Sequence, residues 1–284
     1  MSSVPTISGA LAQSGLVPID AQVLLTHVLG QNRAWLIGHG DEAITREQAD
    51  AFLALARRRR DGEPVAYLTG MREFWGLPLS VSPAVLIPRP ETETLVELAL
   101  ARLPEDREVR VLDLGTGSGA IALAIAQERP RARILGVDVS ENALDIAREN
   151  ARRLNITNVE FALADWYDGA EATWPGGPFD LVASNPPYIA TGDSHLGEGD
   201  VRFEPVMALT SGGDGLDAIR RIVPGARAYL APSGTLAIEH GYDQSDAVRA
   251  LFAAAGFTDL VAVRDLAGIP RVIAGIAVGP ASAG

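Results

Sequence analysis

The sequence predicts an α/β protein with a mainly parallel sheet and helices on both faces, preceded by a small helical domain. Three observations predict it. Downstream of Pro90, short apolar runs alternate with stretches that carry apolar residues at helical spacing. A glycine-rich turn, Gly115-Thr116-Gly117-Ser118-Gly119, follows the first of those runs and opens a helix. Upstream, residues 18–29 and 45–59 carry Ala, Val, Leu and Phe at helical spacing.

Taken in order, residues 18–29 and 45–59 predict the helices of the first domain, with Thr45 and Glu47 near a cap of the second. The run Arg57 to Arg60 closes that helix, where cations complement the macrodipole; it fits a solvated helix end or a partner contact. Residues 73–81 predict a hairpin turning at Gly76. The proline-bearing stretch that follows joins the domains, and Pro90 with Glu91 and Glu93 suits the first turn of a helix over residues 91–102. Then come strand 109–114, helix 120–128, strand 133–137, helix 141–153, strands 158–163 and 179–183, helix 214–230, strand 234–239 and helix 244–255. The last strands, 258–264 and 271–278, lie too close for a helical crossover, which predicts an antiparallel pair at the sheet edge. The expected domains are residues 1–70, helical and substrate-recognising; 71–90, hairpin and linker; and 91–284, the α/β domain.

With 284 residues, 47% of them hydrophobic, the chain can bury one large core and one small one. No apolar run reaches the roughly 18 to 20 residues that span a bilayer, and residues 1–15 lack the charged start and long apolar centre of a secretory signal, so a cytoplasmic location is expected. Cysteine is absent and all 24 basic residues are arginine. Disulfides, thiolate nucleophiles, cysteine metal sites and lysine Schiff bases are therefore excluded. The net charge is −12, and residues 1–84 hold 7 Arg against 8 Asp and Glu, so the acidity is concentrated downstream. A basic face of the kind that holds duplex DNA is not evident. No direct nucleic-acid or membrane partner is expected, and the chain is expected to be a monomer.

The chemistry is written in Asn185-Pro186-Pro187-Tyr188, which follows the apolar run 179–183. A planar amide or amine nitrogen is a poor nucleophile because its lone pair is delocalised. A site that methylates one must accept hydrogen bonds from the NH2 group and hold its plane. Asn185 offers a side-chain carbonyl, and Pro186 a backbone carbonyl with no competing N–H. Each proline biases its predecessor toward extended geometry, and Tyr188 offers a flat face. Read plainly, the tetrapeptide is also a common strand-ending turn.

A methyl donor needs its own loop. Residues 115–119 lack the third glycine of the dinucleotide fingerprint and the Gly-Lys-Ser/Thr of a P-loop. They resemble the S-adenosylmethionine loop of class I methyltransferases, which implies a Rossmann-like, mainly parallel seven-stranded sheet. Asp138, about 20 residues on at the end of the next strand, stands where an acid reaches ribose hydroxyls in nucleotide-binding α/β folds.

Residues 87–93 (Ile-Pro-Arg-Pro-Glu-Thr-Glu), together with residues 73–76 and 115–119, Asn185 to Tyr188, Glu204-Pro205 and Glu239-His240-Gly241, closely resemble the HemK-type protein-(glutamine-N5) methyltransferases, most of all their release-factor branch. The resemblance spans about residues 10–278. It implies transfer of a methyl group from S-adenosyl-L-methionine, with S-adenosyl-L-homocysteine as product, to the glutamine amide of the Gly-Gly-Gln loop in class 1 peptide chain release factors, and so a role in translation termination. It further implies that Gly115, Thr116, Gly117, Ser118 and Gly119 contact the donor, that Asp138 holds its ribose and that Asp165 and Trp166 flank its adenine. Asn185 would touch donor and substrate. Pro186, Pro187 and Tyr188 would complete the glutamine pocket, with Phe74, Ile87, Pro88 and Arg89 lining its entrance. Ser118 and residues 193–199 occupy variable positions of the family pattern. Arg202 and Glu204 are expected to order the loop after Tyr188, and His240 to stand apart from the chemistry. Direct in-line transfer is expected, with no metal, no covalent enzyme intermediate and no obligatory general base. Three rivals compete with this reading: an adenine exocyclic-amine methyltransferase, which would have to flip a base out of a duplex; a glutamine methyltransferase of a large-subunit ribosomal protein; and a silent binding module on the same fold.

Overall fold

The computed structural model describes residues 5–168 and 178–278; the outermost residues of the expected first and last domains lie outside them. The chain divides into two compact units, Met1–Met71 with His195–Phe203, and Arg72–Ser194 with Glu204–Gly284. The hairpin and the proline-bearing stretch thus belong to the larger unit, and the 195–203 segment to the smaller.

The smaller unit holds helices α1 (Ile7–Gln13), α2 (Pro18–Leu29), α3 (Arg33–Gly38), α4 (Arg46–Arg60) and α5 (Val65–Thr69). Their starts are chemically marked. Thr6 accepts from the Gly9 N–H and Asn32 from the Trp35 N–H, while Pro18 opens α2. Thr45 forms a reciprocal capping box with Gln48, so the box partner is Gln48 and not Glu47. Ile7, Leu24, Leu25, Leu36 and Phe52 form the core. The arginine run is largely absorbed within the unit: Arg58 pairs with Glu63, Arg59 with Asp20 and Asp200, and Arg60 donates to the Ser14 carbonyl. Arg202 likewise donates to the Asp61 carbonyl.

The larger unit begins with a hairpin, β1 (Met71–Phe74) and β2 (Leu77–Ser80), whose turn residues Trp75 and Gly76 both have positive φ, 54° and 71°. That is the twist a two-residue hairpin needs. Then follow α6 (Glu93–Arg102), β3 (Arg110–Leu114), α7 (Ala120–Glu128), β4 (Arg133–Asp138), α8 (Glu141–Leu154), β5 (Val159–Leu163), β6 (Phe179–Ser184), α9 (Asp217–Tyr229), β7 (Leu230–Glu239), α10 (Ser245–Ala254), β8 (Phe257–Arg264) and β9 (Pro270–Ala277). One seven-stranded sheet runs β5-β4-β3-β6-β7-β9-β8. Strands β3 to β7 are parallel; β9 is antiparallel to β7 and β8 to β9, the edge pairing the sequence predicts.

Burial on both faces explains the near-continuous apolar strands. One face packs Leu95, Val96 and the helix α7 against Val111 and Ile134; the other packs Ile219, Ile222, Val223 and Phe252 against Leu112, Leu135 and Ile238. Two boundaries differ from expectation. Helix α9 starts at Asp217 because residues 210–216 are tied elsewhere, by a bridge from Thr210 to Ile189 and an Asp217 N–H bond to Ser211 O. Strand β7 starts at Leu230, and its register against β6 shifts between Phe179 and Leu181, where Ser233 has a φ of 67°. Among the described residues, no helix is long and apolar enough to cross a membrane.

Candidate functional site

Strand order reverses between β3 and β6, and in such sheets the crevice beyond the carboxyl ends at that point is where ligands bind. Register fixes what stands there. Leu114 is paired with Ser184, and Ser184 with Ile238, so the next residues, Gly115, Asn185 and Glu239, form one row along the carboxyl edge. Ser184 Oγ reinforces the row by donating to Leu114 O at 2.8 Å. On the other flank Leu114 pairs with Val137, which brings Asp138 beside the glycine turn.

A cavity of about 310 Å³ opens on this edge, wholly within the larger unit. Residues 115–118 form one wall. Gly115 and Gly117 have φ of 70° and 55°, and Gly119, which precedes α7, has 82°; these are conformations that L side chains rarely adopt. A Cβ on Gly115 would stand 3.4 Å from Trp166 Cζ3, so the turn and the indole are in close approach. Beneath them, Thr116 Oγ1 donates to Asp113 Oδ2 at 2.7 Å. Asp113 is fully buried, and desolvation pushes its carboxyl up to about 7.

Asp138 lines the cavity with both oxygens engaged: Oδ2 accepts from the Gly117 N–H at 2.9 Å and Oδ1 from the Ser140 N–H at 2.9 Å. Burial raises its carboxyl above the ordinary range, opposed by those backbone bonds. Each oxygen keeps a second lone pair, the right equipment for a pair of hydroxyl donors. Asp165 and Trp166 also line the cavity; Asp165 is exposed and paired with Arg221, and Trp166 has a φ of 57°. A glycine turn of open backbone, a carboxylate with spare lone pairs and an indole face fit the methionine, ribose and adenine parts of S-adenosylmethionine.

Asn185 and Pro187 also line the cavity. Asn185 Nδ2 donates to Thr92 Oγ1 at 3.1 Å, and among the described residues its Oδ1 accepts no hydrogen bond. The amide is thus held by its nitrogen, with its carbonyl left to accept. Pro186 is buried and, with Tyr188 and Gly119, is not part of the lining. Tyr188 donates instead to Glu239 Oε1 at 3.3 Å, and desolvation raises its phenol well above the usual range. Its backbone carbonyl accepts from Gln244 Nε2 at 3.0 Å, which fixes the chain beyond the prolines.

Pro88 and Arg89 reach the cavity, whereas Ile87 and Phe74 do not. Phe74 is 1% exposed, because the inward alternation of β1 sends it into the core with Leu77 and Leu95. Ile87 is buried, and its N–H donates to Glu204 Oε2 at 3.0 Å. Arg89 pairs with the other oxygen of the same buried carboxylate. Glu204 therefore anchors residues 87–89. His240 is buried outside the cavity, its Nδ1 at 2.7 Å from Gly241 O; desolvation lowers its imidazole, which keeps it neutral.

The structure adds residues that sequence reasoning does not single out: Thr92, Val85 and Leu86 on one side, and Met207 with Ala208 at the rim. Thr92 lies within the 87–93 motif, so its signal was present; the rim residues follow an irregular segment with no periodicity to read.

The fold and cavity agree with what the chain resembles. A methyltransferase domain family model matches residues 105–255, and a PrmC N-terminal domain model matches residues 6–70. The release factor glutamine methyltransferase of Xylella fastidiosa (strain 9a5c) is 53% identical over 257 residues, 90% of this chain and 92% of that protein. The release factor glutamine methyltransferase of Escherichia coli (strain K12) is 49% identical over 256 residues, 90% and 91% of the two chains. A methyltransferase from Pyrococcus furiosus shares the fold, with a TM-score of 0.53 at 16% identity over 78% of this chain and 98% of that one. Identity of this depth over nine tenths of the chain means that it belongs to the release factor glutamine methyltransferase family.

Proposed function

We propose that this protein transfers the methyl group of S-adenosylmethionine to the side-chain amide nitrogen of the glutamine in the Gly-Gly-Gln loop of class 1 peptide chain release factors. The observation that carries the reading is the unpaired Asn185 Oδ1, standing one residue beyond the β3–β6 pairing that also fixes the glycine turn. When bound, S-adenosylmethionine supplies an electrophilic sulfonium methyl, and the sulfur keeps the C–S bonding pair as S-adenosylhomocysteine leaves.

The rest is work for this chain. Residues 115–118 with Asp138, Asp165 and Trp166 hold the donor. Asn185 Oδ1 accepts from the substrate NH2, which orients the nitrogen lone pair and stabilises positive charge growing on nitrogen as the new N–C bond forms, while buried Pro186 holds the chain between the two lining residues Asn185 and Pro187. Pro187, Pro88 and Arg89 shape the glutamine side of the cavity. The methylated nitrogen turns acidic and releases its proton to water. Alignment of this kind supplies roughly 7 to 11 kcal/mol in favourable cases, so no further catalytic group is needed. The helical unit is assigned to grip the release factor body, consistent with relatives that match through that region. A release factor as substrate makes the cytoplasm the compartment of the reaction.

The test is incubation with S-adenosylmethionine and a purified class 1 release factor, followed by peptide mass spectrometry; one added methylene on the Gly-Gly-Gln glutamine is expected. Asn185→Ala is expected to lower kcat on the order of 10²- to 10³-fold while donor affinity by calorimetry is retained. Equal losses in both would count against an acceptor role.

A further inference from the structure

A carboxamide has two ends of opposite polarity, and only one of them suits this site. Asn185 must present oxygen to the substrate NH2; turned over, it would present a donor to a donor. Something has to choose. Asn185 Nδ2 lies 3.1 Å from Thr92 Oγ1, and Thr92 is buried, only 4% exposed. A hydroxyl can donate to an amide or accept from one, and its choice depends on where its own proton goes.

The second neighbour of Thr92 is Glu239, near enough for the hydroxyl to favour the ionised form of that carboxyl against desolvation. Glu239 is 1% exposed; its Oε1 accepts from Tyr188, and its buried Oε2 has no hydrogen-bond partner among the described residues, which leaves it open to the Thr92 proton. The register that aligns Ile238 with Ser184 puts Glu239 beside Asn185. With the Thr92 proton directed at the carboxylate, its oxygen lone pair is left for Asn185 Nδ2. We infer that Thr92, backed by Glu239, is a positioning residue that selects the orientation of the Asn185 carboxamide and so makes the pocket accept a glutamine NH2 group. This rests on the acceptor role proposed above for Asn185. It assigns a task to two buried polar side chains that touch neither the glycine turn nor Asp138. It also explains why the 87–93 motif carries a hydroxyl at its last position but one, at the end of the short 3-10 helix Pro90–Thr92.

The experiment compares wild type, Thr92→Val, Thr92→Ser, Glu239→Gln, Asn185→Ala and the Thr92→Val/Asn185→Ala double variant on a purified release factor. Donor affinity is measured in parallel and reports folding of the cavity. Thr92→Val is expected to lower kcat on the order of 10- to 100-fold with donor affinity unchanged, Thr92→Ser to restore it, and Glu239→Gln to lose activity in the same sense. In the Asn185→Ala background, Thr92→Val is expected to cost nothing more, since there is no carboxamide left to orient. Full additivity in the double variant, or wild-type turnover in Thr92→Val, would overturn the inference while leaving the acceptor role intact. Wild-type turnover in Asn185→Ala would overturn both.

Discussion

At the scale of single residues, the donor side of the cavity is held by contacts that tolerate almost no added volume. Gly136 on β4 is the sharpest case: a Cβ there would lie 2.7 Å from Phe161 Cδ1 and 2.8 Å from Thr116 Oγ1. Thr116 is the hydroxyl that ties the glycine turn to buried Asp113. Gly136→Ala is therefore expected to destabilise the protein by about 1 to 3 kcal/mol in urea unfolding and to weaken donor binding by calorimetry, though Gly136 does not line the cavity. Much of the site is legible at this scale. Gly115 to Ser118, Asp138, Asp165, Trp166, Asn185, Pro187, Pro88 and Arg89 all reach one cavity, because each follows a strand or sits in a motif whose place in the fold is fixed by order. Phe74 and Ile87 were not separable from them by sequence. Side-chain direction on a four-residue strand or a proline-bearing loop depends on what it packs against, and here that is the α6 core and the Glu204 carboxylate.

Elements were legible in proportion to their length and their caps. Helix α8, 14 residues, begins at Ser140 and ends at Asn155 with a φ of 55°, and both signals stand in the sequence. Helices α1, α3 and α5 have 7, 6 and 5 residues, too few turns for a periodic pattern; α1 and α3 are marked only by their capped starts, and α5 by the left-handed Gly70 at its end. Such starts carry measurable energy. Removing the Thr45 hydroxyl breaks the bond it accepts from the Gln48 N–H at the start of α4, so Thr45→Ala is expected to cost about 1 kcal/mol in denaturant unfolding, with Thr45→Ser close to wild type. The early start of β7 was hidden because residues 231–234 continue the chain out of α9 with a proline and a glycine, which read as a turn; the sheet overrides them through the displaced pairing with β6.

For the molecule as a whole, alternation, the mainly parallel sheet and its antiparallel edge pair were legible, whereas the strand order, which sets the switch point and its row of Gly115, Asn185 and Glu239, was not. Nor was the price of burying charge on that edge, since burial is a tertiary property. Asp113 and Glu239 are raised by desolvation from 3.8 and 4.5 to about 7. Below about pH 3 both are protonated whether the chain is folded or not. Between there and about 7 the unfolded chain releases these protons while the folded one keeps them, so their contribution to stability is fullest at low pH and falls as pH rises; above about 7 the penalty is constant. Wild type is expected to lose stability relative to Asp113→Asn/Glu239→Gln as pH rises from about 4 to about 7 and to lose no more above that, on the order of 1.4 kcal/mol for each group and pH unit crossed, read from urea midpoints. One further consequence comes from the path of the polypeptide. Because His195–Phe203 folds with Met1–Met71, where Asp200 meets Arg59 and Arg202 meets the Asp61 carbonyl, the helical unit is discontinuous in sequence. A deletion ending at residue 71 would strand those side chains at the far end of the loop that leaves Tyr188. A chimaera that exchanges the helices between two relatives must therefore graft both pieces together, and only such a paired transplant reports on substrate choice alone.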